Sequence, residues 1–100
     1  MFEAGILVNL GMAHVNLGRP HEGVELFRQS LAISRETGNR RGEAQALGNL
    51  GIVTHKMGNP REALGYFEEA LAVFREMGDR SMEEALIPLT ESVRRDLGQA

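Results

Sequence analysis

Glycine stands at positions 18, 38, 58, 78 and 98, one every twenty residues along a chain of one hundred. No other feature constrains the fold as much, because glycine is the residue that most cheaply ends a helix in the left-handed conformation. Each interval has room for a helix of about 16–18 residues, roughly 25 Å long at 1.5 Å per residue, and a tight turn. Sliding residues 3–42 onto 43–82 without a gap matches 16 of 40 positions. The matches include Leu7/Leu47, Asn9/Asn49, Leu10/Leu50, Gly11/Gly51, Pro20/Pro60, Phe27/Phe67 and Leu31/Leu71. The repeating unit is therefore forty residues long and holds two helices.

Inside the intervals the apolar spacing is helical. Leu47, Leu50, Gly51 and Thr54 follow i, i+3, i+4, i+7, and Ala63, Leu64, Phe67, Ala70, Leu71 and Phe74 form a wider stripe. No segment alternates with period two, as a half-buried strand would. The expectation is an all-α fold of five antiparallel helices, at about 3–17, 20–37, 40–57, 60–77 and 80–97, because links this short force helical hairpins. One domain, 1–100, then divides into a first repeat at about 3–40, a second at about 41–80 and a capping helix at about 80–98. Gly11 and Gly51 sit in helix interiors, where glycine costs up to about 1 kcal/mol relative to alanine, so a partner helix is expected to approach closely there. Ala63 and Ala70 flank Phe67 at one-turn spacing and leave room for large residues opposite.

The stretch HKMGNPREAL, residues 55–64, shows how one helix stops and the next starts. Gly58 is placed to leave the helix, Asn59 to cap the next one, Pro60 to take its first position and Glu62 to close a capping box. A helix N-terminus can hold an anion, but a corner repeated along the chain needs no ligand to explain it. Asp79 or Ser81 starts the fifth helix, the latter with Glu84 as a capping box. That helix is expected to bury Leu86, Leu89, Val93 and Leu97 and to kink near residues 84–88, because Pro88 lacks an N–H and clashes with the preceding turn.

Composition removes several function classes. The net charge of −3 and a pI near 5.6 give no clustered cations for nucleic acid. Arg40-Arg41 and Arg94-Arg95 are isolated pairs with carboxylates nearby, which suits a solvated helix face. Without cysteine there are no disulfides, thiolate metal sites or thiol nucleophiles. The same absence is compatible with the reducing cytoplasm, where the chain is expected to reside. No apolar run approaches the roughly 18 residues of a membrane span, and the N-terminus lacks the basic start of a signal peptide. His14, His21 and His55 form no ligand pair, and Glu68-Glu69 and Glu83-Glu84 point about 100° apart on a helix. No phosphate-cradling loop or catalytic triad order is present, so neither enzymatic activity nor a cofactor is expected.

The segment AQALGNLGIVTHKMGNPREALGYFEEALAVFRE resembles a tetratricopeptide repeat. Leu47, Leu50-Gly51, Thr54, Gly58-Asn59-Pro60, Ala63, Phe67 and Ala70 occupy the positions of that pattern. The first unit supplies Leu7, Leu10-Gly11, His14, Gly18-Arg19-Pro20, Gly23, Phe27 and Ser30; its Gly23 and Ser30 stand where alanines are usual and suggest a looser repeat. The resemblance implies helical hairpins wound into a right-handed superhelix. Its forty-residue unit is similar to the repeats of kinesin light chains, Pins-type polarity adaptors and bacterial regulatory arrays.

In this family the first helix of each pair lines a concave groove that binds a peptide, and in several members an asparagine before Leu-Gly bonds the peptide backbone. The matching residues are Asn9 and Asn49. By helical spacing Gly5, Val8, Met12 and Asn16 share the face of the first, and Gln45, Gly48, Ile52 and Lys56 that of the second. Val8, Met12 and Ile52 make the groove apolar rather than ionic. Lys56 is the one cation assigned to it, too few for gripping a C-terminal carboxylate. The implied partner is a protein or peptide, with an amphipathic helix favoured. A second reading is self-association, as a homodimer or as part of a larger array, because the chain opens on MFEAGILV and leaves Phe2, Ile6 or Val8 without a covering helix.

Overall fold

The computed structural model describes residues 4–98 and contains five α-helices: α1 (Ala4–Asn16), α2 (Pro20–Glu36), α3 (Arg40–Lys56), α4 (Pro60–Met77) and α5 (Arg80–Asp96). Each bound lies within two residues of the helix expected from the glycine spacing. Consecutive helices pack as antiparallel hairpins, and α3 lies between α2 and α4. The body measures 43 × 34 × 18 Å, a slab two helices thick. Phe2 lies outside the described residues.

All five spaced glycines have positive φ, between +68° and +84°. At four corners the same pair of bonds closes the helix end. Gly58 N–H donates to the His55 carbonyl at 3.0 Å, and Asn59 N–H reaches back to the Thr54 carbonyl at 2.9 Å. The equivalent bonds recur at Gly18/Arg19, Gly38/Asn39 and Gly78/Asp79. This is the Schellman arrangement, which satisfies carbonyls that a helix end otherwise leaves bare.

Helix starts depart from expectation in two ways. Pro60 takes the first position of α4, but the Asn59 side chain makes no capping bond. Glu62 does not close a capping box either: Asn59 N–H is already given to Thr54, and the Glu62 carboxylate accepts from Arg28 at 3.4 Å and Tyr66 at 3.3 Å. Side-chain caps appear instead where no proline follows. Asn39 Oδ1 accepts from Gly42 N–H at 2.9 Å, and Asp79 Oδ1 from Met82 N–H at 3.1 Å, so α5 starts from Asp79 and not Ser81.

The core lies between the two layers. Phe67 and Phe74 are 1% and 0% exposed, and Leu47, Leu50, Ala63 and Ala70 are equally closed off. The close approach at Gly51 is real: a Cβ there would stand 2.6 Å from Phe67 Cε1. At Gly11 it would meet Phe27 Cε1 at 2.8 Å, forty residues earlier in the same geometry. The first repeat is not loose at its departures from the pattern. Val15 Cγ2 fills the space a Gly23 side chain would need, at 2.5 Å, and buried Ser30 Oγ donates to the Ala4 carbonyl at 3.1 Å.

Helix α5 runs unbroken through Pro88, which is exposed, as is Glu84 one turn before it. Leu89 does not face inward as expected but is 40% exposed; Leu86, Thr90 and Val93 are buried, and Thr90 Oγ1 donates to the Leu86 carbonyl at 2.9 Å. That back-bond lets a hydroxyl occupy an apolar position without an unmet donor. Ion pairs repeat with the same period: Arg35 meets Glu43 at 3.2 Å, and Arg75 meets Glu83 at 2.9 Å. Arg40 pairs with Glu43 and Glu76, Arg41 with Asp79, and Arg94 with Glu68, so the arginine pairs serve solvated helix faces.

Candidate functional site

Helices α1, α3 and α5 form one layer, and their outer faces form a concavity. Three connected hollows cover it. One, about 310 Å³, is lined by Gly5, Val8, Asn9, Arg41 and Gln45 among others. The next, about 320 Å³, shares Val8 and Gln45 with it and adds Gly48, Asn49, Ile52, Met82 and Leu86. The third, about 120 Å³, shares Asn49 and Ile52 and adds Met12, Asn16 and Lys56. All eight residues singled out from the sequence, Asn9, Asn49, Val8, Met12, Asn16, Gln45, Ile52 and Lys56, therefore line one continuous surface. The reason is helical periodicity: each set repeats at three- and four-residue steps on helices whose opposite faces are locked into the core.

The floor is apolar and the amides stand along it. Met12 is 47% and Ile52 38% exposed, large side chains left toward solvent although the core has closed around their neighbours. Asn9 and Gln45 are exposed and Asn49 is half-buried. A carboxamide carries both a donor and an acceptor, so each can pair with the N–H or C=O of a passing backbone. A larger single hollow, about 430 Å³, lies elsewhere, between α4 and α5, and is lined by Glu68, Arg75, Glu91 and Arg94 around Leu71, Ile87 and Thr90. Charges crowd that hollow and two of them are already paired with each other, Arg94 with Glu68 at 3.2 Å. It is the poorer ligand site.

Several groove residues escaped the sequence reading. Met82 and Leu86 belong to α5, whose register to the groove only becomes visible once α5 is seen to follow α3 in the layer. Arg41 is a second cation at the Asn9 end. It donates to Asp79 Oδ2 at 2.8 Å, which leaves Lys56 as the groove cation without an ion-pair partner among the described residues. The Arg41 bond, followed by that from Met82 N–H, holds the Asp79 carboxyl below the usual carboxylate range.

Among the described residues no three His, Asp or Glu side chains gather as metal ligands, and no helix is long and apolar enough to cross a membrane. A family model described as tetratricopeptide repeat matches residues 2–76. No curated protein matches the chain.

Proposed function

The chain belongs to the tetratricopeptide repeat family, and on that premise we propose that its concave face is a non-enzymatic binding site for a peptide or helix of a protein partner. The observation that carries this reading is the continuity of the groove across α1, α3 and α5, with Val8, Met12, Ile52 and Leu86 as floor and Asn9 and Asn49 in register above it. A short amphipathic helix or an extended segment with apolar side chains fits such a surface. Lys56 at one end favours an occupant with a carboxylate on that side.

In this reading residues of about 3–40 and 41–80 are the two working repeats and α5 is a cap. Where α3 has Gly51 and Thr54, α5 has Glu91 and Arg94, so its far side carries charge in place of the slot that receives the next phenylalanine. The forty-residue unit suits an adaptor or a bacterial regulatory array working in the cytoplasm.

Peptides selected from a displayed random library supply the probe. Asn49→Ala should weaken a selected peptide by roughly 5- to 100-fold, the equivalent of about 1–3 kcal/mol for one or two lost hydrogen bonds. Helicity should stay unchanged, because the Asn49 side chain is not part of the core. Unchanged affinity for every selected peptide would remove the groove reading.

A further inference from the structure

The three helices of the concave layer carry a stripe at equivalent positions. On α3 it is Ala46, Leu50, Val53 and Met57; on α5 it is Leu86, Thr90, Val93 and Leu97; on α1 and just past its end it is Ile6, Leu10, Ala13 and Leu17. Steps of four, three and four residues keep each set within about 60° of the helix circumference. Gly51 faces Phe67 of α4, so the α3 stripe, on another side, is the one that α2 covers. Helix α4 covers that of α5. Burial follows: Ala46, Leu50 and Val53 are at most 2% exposed, and Leu86 and Val93 at most 4%. On α1 the same register is bare, with Ile6 51%, Leu10 47% and Leu17 70% exposed and Ala13 exposed beside them. Nothing among the described residues covers it.

The stripe is complementary to itself. An antiparallel second copy of α1, turned about a two-fold axis between residues 11 and 12, sets Ile6 against Leu17 of the partner subunit and Leu10 against Ala13 of the partner subunit. Every pair is apolar, and at the centre a large residue meets a small one, which lets the helix axes approach. Charge does not oppose this. From Ala4 to Asn16 there is no carboxylate, lysine or arginine. Glu22 on α2 stands beside Gly23, which packs on Gly11 at the middle of α1, about 130° round that helix from the centre of the stripe.

A head-to-tail arrangement fares worse. The far side of α5 presents Glu91 and Arg94, the latter held by Glu68, and an apolar stripe laid there would strip these charges of water. We propose that the Ile6, Leu10, Ala13 and Leu17 stripe is a homodimer interface in which two copies of α1 pair antiparallel about a two-fold axis. The contact is closed, so it gives dimers and not filaments. One helix about 20 Å long per copy puts it at the small end of specific interfaces, and dimer and monomer exchange with concentration.

Sedimentation velocity on the whole chain, from micromolar to near-millimolar concentration, tests this. The weight-average mass should rise from 11.0 kDa toward twice that value. Leu10→Lys alone and Ala13→Glu alone should each stay monomeric throughout with unchanged helicity, because both positions are exposed. Mixing the two variants sets an ammonium opposite a carboxylate across the axis and should restore a heterodimer. A constant monomer mass for the unaltered chain overturns the proposal and gives the stripe to another occupant. Dimerisation of Leu10→Lys equal to that of the parent overturns it too, and a mixture that stays monomeric overturns the antiparallel register.

Discussion

Adding one methyl group at Gly51 should destabilise the protein, although the same change in an open stretch of helix should stabilise it. Alanine gains about 1 kcal/mol over glycine inside a helix. At Gly65, in the middle of α4, nothing lies within 4 Å of the added carbon, so Gly65→Ala should collect most of that gain. At Gly51 the carbon would stand 2.6, 2.7 and 2.9 Å from three atoms of the Phe67 ring. Ordinary contact begins near 3.4 Å, so the ring must retreat by several tenths of an ångström. It has nowhere to go, since Phe67 is 1% exposed and Ala63 and Ala70 beside it are completely buried. Overpacking of this kind costs about 1–3 kcal/mol, and three short contacts argue for the upper half of that range. After the propensity gain, a net loss of about 1–2 kcal/mol remains, or roughly 5–15 °C in Tm for a domain this size. Thermal denaturation followed by circular dichroism on the two alanine variants would measure it. Adding Phe67→Leu to Gly51→Ala should recover part of the loss, because the smaller side chain vacates the contested space. If Gly51→Ala raises Tm as Gly65→Ala does, the close approach that explains this glycine is wrong.

Other outcomes follow from single contacts. Ser34 Oγ is buried without a hydrogen-bond partner among the described residues, so Ser34→Ala should raise stability by up to about 1 kcal/mol in chemical denaturation, the cost of an unmet hydroxyl being removed. The Asp79 carboxyl is held below its usual range by Arg41 and the Met82 N–H. Its contribution is therefore complete above the unfolded value near 4 and fades as pH falls through the lower folded value. Asp79→Asn keeps a capping side chain but loses the charge; its Tm deficit should be present at pH 7 and shrink progressively as the pH falls below about 4.

Much of the fold was legible because it is periodic. Glycine every twenty residues fixed the corners, and Gly51 with Phe67 fixed how α3 meets α4, since a missing side chain and a ring forty residues apart from their equivalents repeat the same contact. The groove was legible for the same reason: once Leu47, Leu50 and Gly51 face the core, residues 45, 49, 52 and 56 have only the outer side left. What the sequence hid were choices made by distant partners. Glu62 looks like a capping-box residue locally, but Arg28, on a different helix, takes its carboxylate. Leu89 looks like a core residue by composition, yet it falls at the register of Asn49, on the groove side, while Thr90 goes inward by bonding its own helix. Arg41 sits in a basic pair that reads as plain surface, and only the fold brings it to the groove end and to Asp79.

The central claim is that partners are bound on the concave layer of α1, α3 and α5. Amide chemical-shift mapping of the labelled chain with a selected peptide tests it most directly. The largest changes should fall on Val8, Asn9, Met12, Gln45, Asn49, Ile52 and Lys56, with Met82 and Leu86 joining them. Changes centred instead on the outer faces of α2 and α4, around Gln29, Arg61, Glu69 and Ala72, would contradict it.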